Sequence, residues 1–290
     1  MTAREIDKLC DAVLRALEKE PLDPDGLRAA TGKAVRNLGA EGQKKGLATT
    51  LPVALERLQT TGDIRRVPVN GRLDQQRYKY TLWRPHPLRD FKLSTEEAYT
   101  ELARRYFRWI GPASIAEFQW FSALGVKAAK AAVEPLKLEP VATGDERAML
   151  PGDRAKFEAF KPPKEPHYAL MSGIDSLMLL RRDLKSLMDP KDVDRQVFAD
   201  KGVKPLGGLA DLPSHAVVDR GRIVGLWEFD TESDSIAWTA FVKPDKALRD
   251  AVGRTEQYVR EQLGDARAFS LDSPRSRAPK IAALRKAAGR

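Results

Sequence analysis

Asp74, Gln75 and Gln76 stand in a row, flanked by Arg72 and Arg77. A carboxylate beside two carboxamides can hold and polarise a water, because Asp only accepts hydrogen bonds whereas Gln both donates and accepts. Successive side chains of a strand point to opposite faces, so Asp74 and Gln76 converge and Gln75 points away. The first pair then offers one acceptor and one amide to the same water. The other reading of these residues is an ordinary solvated polar stretch beside a turn, and both readings stand on the residues alone.

The surrounding elements determine what such a group would act on. Residues 46–83 read GLATTLPVALERLQTTGDIRRVPVNGRLDQQRYKYTLW. Thr49, Thr50 and Pro52 open a helix that carries Leu51, Ala54, Leu55 and Leu58 on one face, and Gly62 stops it. Ile64 to Val69 and Arg72 to Trp83 then read as two strands joined at Asn70-Gly71, a dipeptide suited to the positive φ angles of a tight hairpin. A helix followed by a basic hairpin is the order of a winged helix, in which the helix enters a DNA groove and the hairpin, or wing, lies along the backbone.

The charge is concentrated in this stretch. Between Lys44 and Arg89 there are ten Lys or Arg against Glu56, Asp63 and Asp74, a surplus of seven in a chain whose net charge is +9. With a pI near 9.6, a polyanionic partner is favoured over an acidic small molecule. Lys44 and Lys45 precede the helix, Arg57 lies on it, and Arg65, Arg66, Arg72, Arg77 and Lys79 line the hairpin. On the second strand Arg77 and Lys79 share a face directed at phosphate, while Tyr78 and Tyr80 pack on the domain. The alternative for this run is a solvated basic surface. Thr49 and Thr50 either bind a phosphate through hydroxyls and free N–H groups or serve only as caps.

Other chemistries find little in the composition. Cys10 is the single cysteine, on an apolar helical position, and His86, His167 and His215 are far apart, so neither a disulfide framework nor a metal centre is expected. No phosphate-cradling glycine loop is present and no cofactor is implied. The amphipathic start has no signal-peptide core and no apolar run reaches the ~18 residues of a membrane span, which places the expected protein in a reducing cytoplasm. Double-stranded DNA is the expected partner, with no membrane, no small-molecule cofactor and no oligomer required.

Along the rest of the chain, Ile6, Leu9, Cys10, Val13, Leu14 and Leu17 place an apolar stripe on a first helix. Ser94 with Glu97 and Ser114 with Glu117 are two capping boxes that open helices of a second unit. Three helices followed by the strand-like EPVATGDERAMLP repeat the winged-helix order. A third part carries a helix with Leu177, Leu180, Leu184 and Leu187, an antiparallel meander through HAVVD, a turn at Arg220-Gly221, RIVGLWEFD and SIAWTAF, and a closing helix from Asp245 to Leu263. Trp83, Trp109, Trp120, Trp227 and Trp238 read as core, with stacking on a base as the alternative for any one of them. The fold class is α+β: tandem winged-helix units at 1–85, 86–155 and 156–272 forming a DNA-binding channel, the last with a C-terminal antiparallel β meander and helix. Residues 273–290 are expected to be a basic tail, mobile apart from its last helical turns, that serves solubility or adds phosphate contacts.

At ELARRYFRWIGPASIAEFQWFSALGVKAAKAAVEPL the chain resembles the AlkZ-like DNA glycosylase family of tandem winged-helix proteins. Ile174-Asp175-Ser176 with Arg181-Arg182-Asp183, and DRGRIVGLWEF, resemble it further in order and spacing. The resemblance implies three winged-helix units around a basic channel, removal of alkylated or crosslinked bases in DNA repair, and channel positions at Asp175, Arg181 and Arg182, although Asp and Arg on one helix also form local ion pairs. It also implies a Gln-apolar-Gln or Gln-apolar-Asp signature that positions the attacking water, and no such triplet occurs in this sequence. The nearest polar groups are Gln59, at the end of the helix that would read DNA, and Asp74-Gln75-Gln76. Hydrolysis of an N-glycosidic bond needs a water on the far face of the sugar and negative charge near an oxocarbenium-like centre. Asp74 and Gln76 are the residues here that fit that demand. A non-catalytic winged-helix protein that recognises lesions or regulates transcription is the alternative.

Overall fold

The computed structural model describes residues 2–69, 78–181, 183–199, 202–269 and 272–289. The chain is divided into two compact units, Met1–Lys92 and Leu93–Arg290.

In the first unit, helices α1 (Ala3–Leu17), α2 (Pro24–Thr31), α3 (Gly39–Lys44) and α4 (Leu51–Thr61) precede strands β1 (Ile64–Pro68) and β2 (Tyr78–Leu82). Thr2 and Glu5 close a capping box at the start of α1, and Asp23 caps α2 at the N–H of Gly26. The α1 stripe is buried at Ile6, Leu9, Cys10, Val13 and Leu17, and it meets Leu27, Leu51, Leu55, Leu58, Ile64 and Tyr80 in one core. Gly62 ends α4 in the left-handed region at φ 83°, which an L side chain rarely adopts. β1 and β2 pair antiparallel, with Arg66 opposite Tyr80 and Val67 opposite Lys79. Leu22 bridges Tyr80 through two backbone hydrogen bonds of 3.1 and 2.7 Å, so the hairpin is tied to the α1–α2 connection.

The second unit begins with α5 (Thr95–Ile110), α6 (Ile115–Ser122) and α7 (Val126–Val133), followed by the short pair β3 (Glu139–Pro140) and β4 (Ala148–Met149) and by α8 (Arg154–Ala159). Both predicted capping boxes form, at Ser94 with Glu97 and at Ser114 with Glu117. Ala103, Tyr106, Phe107, Ile110 and Phe118 pack with Ala129 and Val133 in the core of these helices. Next come β5 (Tyr168–Met171), α9 (Ser176–Arg181), the hairpin β6 (Gln196–Ala199) and β7 (Gly202–Pro205), the meander β8 (His215–Asp219), β9 (Arg222–Asp230) and β10 (Ser235–Ala240), and helices α10 (Lys246–Tyr258) and α11 (Pro274–Ala288).

The sheet order is β10-β9-β8-β5, antiparallel throughout. Arg220 and Gly221 both have positive φ, 48° and 83°, as a two-residue hairpin turn demands. One face of the sheet packs Trp227, Phe229 and Ile236 against Leu248, Val252 and Val259. The other packs Leu226 and Ala237 against Ile281 and Leu284 of α11, with Val197 and Leu206 beside them.

Several expectations change. The meander gains a fourth strand, β5, and the β6–β7 hairpin was not anticipated. The helix expected through Leu187 is an α-helix only to Arg181, with a separate 3-10 turn at Lys185–Leu187. The tail from Ser273, expected to be helical only in its last turns, is the helix α11 from Pro274 to Ala288, held by buried Arg277, Ile281 and Leu284. Trp109 and Trp120, read as core, are 69% and 51% exposed, because their helices bury Ile110 and Phe118 instead. Trp227 is core, at 3%.

Candidate nucleic-acid interface

The hairpin sorts its side chains by the two-residue period of a strand. Ile64 and Tyr80 face inward and are buried, while Arg65 is exposed on the opposite face of β1 and Lys79 lies on that same face across the pair. Arg65 and Lys79 therefore present a guanidinium and an ammonium together, and neither has a carboxylate partner among the described residues. Behind them Tyr78 meets Tyr80 edge to face at 5.5 Å. Burial pushes the Tyr80 phenol upward, so it stays neutral. Arg66 does not join Arg65. Its guanidinium lies 4.4 Å from the Tyr78 ring centre, a cation–π contact that fixes it against the tyrosine face.

The remaining basic candidates are placed individually. Lys44 pairs with Glu41 at 2.7 Å and Arg57 with Asp7 at 2.6 Å, so each meets DNA only by giving up a partner. Lys45 is exposed. Thr50 is buried, and its hydroxyl accepts the Arg36 N–H at 3.1 Å, so it ties the α3 approach to α4 and does not face solvent. Thr49 is half-buried and bridges Asn37. Gln59 donates its amide to the Leu55 carbonyl at 3.0 Å, one turn back on its own helix. Arg72, Asp74, Gln75, Gln76, Arg77 and Arg182 lie outside the described residues.

In the second unit Asp175 and Arg181 take local roles. The Asp175 carboxylate accepts the Leu177 N–H at 2.8 Å, which starts α9. Arg181 donates to the Ile110 carbonyl at 2.6 Å and joins α9 to the end of α5, leaving its buried Nε without a hydrogen-bond partner among the described residues. Tyr106 donates to the Leu180 carbonyl at 3.3 Å at the same junction, and burial holds its phenol up at about 12.

Under the sheet lies a buried polar group that sequence reasoning did not single out. Glu228 is fully buried with both carboxyl oxygens lacking a hydrogen-bond partner among the described residues, and burial pushes it up to about 7. His215 accepts the Gly173 N–H at Nδ1 at 2.9 Å and stacks on Trp227 with ring centres 4.2 Å apart. Burial pushes the imidazole down to about 4, and it is neutral near pH 7. Arg277, 1% exposed, forms a two-point pair with Asp265 at 2.8 and 3.1 Å and donates to the Phe229 and Ala266 carbonyls. Charged residues at such positions are rare unless paired, and a single sequence shows no apolar stripe to mark them. Among the described residues no cluster of His, Cys, Asp and Glu is arranged to hold a metal ion, and no helix is long and apolar enough to cross a membrane.

A solved structure, Streptomyces sahachiroi DNA glycosylase AlkZ, is similar to this chain with a TM-score of 0.59 at 21% identity, over 92% of this chain and 69% of that one. At that identity the likeness shows the fold. No curated protein matches. The family model described as DNA glycosylase AlkZ-like matches residues 1–269, nearly the whole length of the two units. The chain belongs to the AlkZ-like DNA glycosylase family.

Proposed function

We propose that this chain binds duplex DNA through the basic face of its first unit and removes alkylated or crosslinked bases as a monofunctional glycosylase. The observation that carries the DNA-binding half is the sorting of the hairpin: Arg65 and Lys79 share an outward face while Tyr78 and Tyr80 anchor the strands behind it. In this reading the helices and hairpin of the first unit are a winged helix, and residues 86–155 and 156–272 are two further units of the same kind. Asp74 and Gln76 hold the attacking water, with Gln75 beside them. A departing alkylated purine is already cationic, so a strong general acid is dispensable, and a carboxylate with an amide suffices to orient the water and stabilise the sugar cation. DNA is the partner, the cytoplasm the setting, and the chain works without a cofactor.

Two measurements test this. Phosphate contacts release counterions, so duplex affinity falls steeply with salt. About three contacts, from Lys45, Arg65 and Lys79, imply a loss on the order of 40-fold between 50 and 200 mM salt, and a flat response removes DNA binding as the main role. The second measurement is release of methylated bases from alkylated duplex. Asp74→Ala and Gln76→Ala abolish release if the assignment holds, whereas full activity in both moves the water site elsewhere. A second reading, DNA recognition without hydrolysis, is favoured by the absence of any Gln-apolar-Gln or Gln-apolar-Asp triplet from the sequence. It is the outcome indicated by salt-dependent binding with no release.

A further inference from the structure

In the second unit a groove of about 1,220 Å³ runs between α5 and α7. Its α7 wall is built of small residues. Gly125, Ala128, Ala131 and Pro135 follow one another at spacings of three or four from the cap of α7 to the turn after it, which keeps them on one face. Side chains of this size let a second helix approach closely. Around them Leu93, Tyr99 and Val126 stand in solvent at 42%, 36% and 57% exposure. An apolar concavity rimmed by charge marks an interaction surface.

The α5 wall determines the partner. It is edged by Glu96 and Glu97 at its start, Glu101 at its middle and Arg104 and Arg105 beyond. Glu96 has no ion-pair partner among the described residues. The Glu97 carboxylate accepts the Ser94 N–H at 2.8 Å. Glu101 accepts from Nε of Arg105 at 2.8 Å and of Arg104 at 3.3 Å, and these bonds hold its carboxyl below the usual value. Each guanidinium is thereby fixed in place with its terminal nitrogens free for a second carboxylate.

A helix with acids in its first half and arginines in its second is complementary to its own reverse. Two copies of α5 laid antiparallel about a two-fold axis near Thr100 bring Glu96 and Glu97 of each against Arg104 and Arg105 of the other. An isologous contact has this property: where residue i meets j, j meets i. Glu101, close to the axis, is already neutralised by the arginines of its own helix. The order of charge also complements the dipole of α5 itself, but the dipole does not account for the exposed apolar residues around the α7 wall. We infer that the α5–α7 groove is the surface on which two copies of this chain associate, antiparallel through α5, with Glu96 and Glu97 of one copy against Arg104 and Arg105 of the other. The groove shares no residue with the basic hairpin, so this association stands or falls apart from DNA binding. With 16 residues, α5 is about 24 Å long. A contact of that length falls in the small, transient class, and a dissociation constant on the order of 10 µM is expected.

Sedimentation velocity of the full chain, from about 1 to 200 µM, is the test, and the wild-type chain is expected to pass from monomer to dimer over that range. Two variants redistribute the charge. Glu96→Arg with Glu97→Gln leaves Ser94 a capping partner and makes the edge of α5 basic, whereas Arg104→Glu with Arg105→Glu makes it acidic. Each variant alone is expected to dimerise at least about tenfold more weakly, because like charges meet across the axis. An equimolar mixture of the two should form a mixed dimer about as tight as wild type, since every facing pair is then of opposite sign. A misfolded variant is not rescued by mixing, so the mixed dimer separates a changed surface from a lost fold. A wild-type chain that stays monomeric throughout overturns the association and leaves the groove to a helix of a different protein. A dimer that survives both sets of substitutions, or variants that stay apart when mixed, overturns the antiparallel contact through α5.

Discussion

The buried pair Glu228 and His215 makes a prediction that neither residue makes alone. Glu228 rises from an ordinary value of 4.5 to about 7 because burial takes its carboxyl out of water, by more than the Ser214 hydroxyl and the Lys280 ammonium offset. Between those values the folded chain keeps a proton that the unfolded chain has released, so this group makes stability fall as pH rises from 4.5 to 7. His215 drops from 6.5 to about 4 because burial disfavours the imidazolium. Between those values the unfolded chain takes up a proton that the folded chain refuses, so this group makes stability rise with pH from 4 to 6.5. One pKa unit corresponds to about 1.4 kcal/mol, so each displacement is worth roughly 3 kcal/mol. The windows overlap almost completely and the slopes oppose, which leaves the pair's combined effect on the wild-type chain nearly flat from pH 4.5 to 6.5. Glu228→Gln unmasks histidine, and stability should then climb by roughly 3 kcal/mol on raising the pH from 4 to 6.5. His215→Gln unmasks the acid, and stability should decline by a similar amount from pH 4.5 to 7. Urea unfolding free energies at half-unit pH steps, each variant minus the wild type, isolate the removed group: a rise from pH 4.5 to 7 for Glu228→Gln and a fall from pH 4 to 6.5 for His215→Gln, independently of any fixed cost of the substitution. Slopes of the same sign in the two variants would refute the reasoning, as would two profiles parallel to wild type.

Other perturbations follow from single contacts. Removing Arg65 and Lys79 together should make the dependence of log affinity on log salt shallower by about 1.8 and weaken duplex binding by about 60-fold at 0.1 M salt, measured by fluorescence anisotropy. Arg57→Ala, which removes a side chain already paired with Asp7, should cost less than about fivefold in the same assay; an unchanged slope in the double variant would remove the hairpin from the interface. Gly62→Ala forces a side chain into φ 83° with its Cβ 2.8 Å from Pro87 Cγ, and a loss of about 1–3 kcal/mol in urea unfolding is expected. Arg277→Met leaves the Asp265 carboxylate with Arg267 alone and removes the donor to the Phe229 and Ala266 carbonyls, with an expected loss of about 1.5–3 kcal/mol; a change below about 1 kcal/mol would show that the pair does not hold α11 in place.

What was legible in the sequence was whatever short-range rules dictate. The capping boxes at Ser94 and Ser114 form because a Ser hydroxyl and a Glu three residues on satisfy each other's backbone N–H groups locally. The Arg220-Gly221 turn and the alternation of Lys79 with Tyr78 and Tyr80 need only the period of a strand. Two neighbouring residues could not be read this way. Trp120 follows Phe118 on a helix of eight residues in which aromatics fall on more than one face, and only packing decides that Phe118 is buried and Trp120 is not. Arg277 sits in a stretch with a proline and several cations, PRSRAPKIAALRKAA, that reads as solvated tail. Its burial depends on Asp265 and on the Phe229 carbonyl, 12 and 48 residues away.

These two failures meet in one place. Arg277 fixes the first turn of α11, and Lys280 follows three residues later on the same side of the helix, where it pairs with Asp272 in the cleft whose rim is Trp120. An arginine that belongs in water by type is buried, and a tryptophan that belongs in the core by type is exposed. The first holds α11 against the sheet through Asp265 and the Phe229 carbonyl, and the second stands at the rim of that cleft. Departures from residue-type rules are informative because packing, and not residue type, decides them. The hairpin's charges do not distinguish one base pair from another, since phosphate contacts position without specifying, so any preference for one base over another has to come from residues other than Arg65 and Lys79.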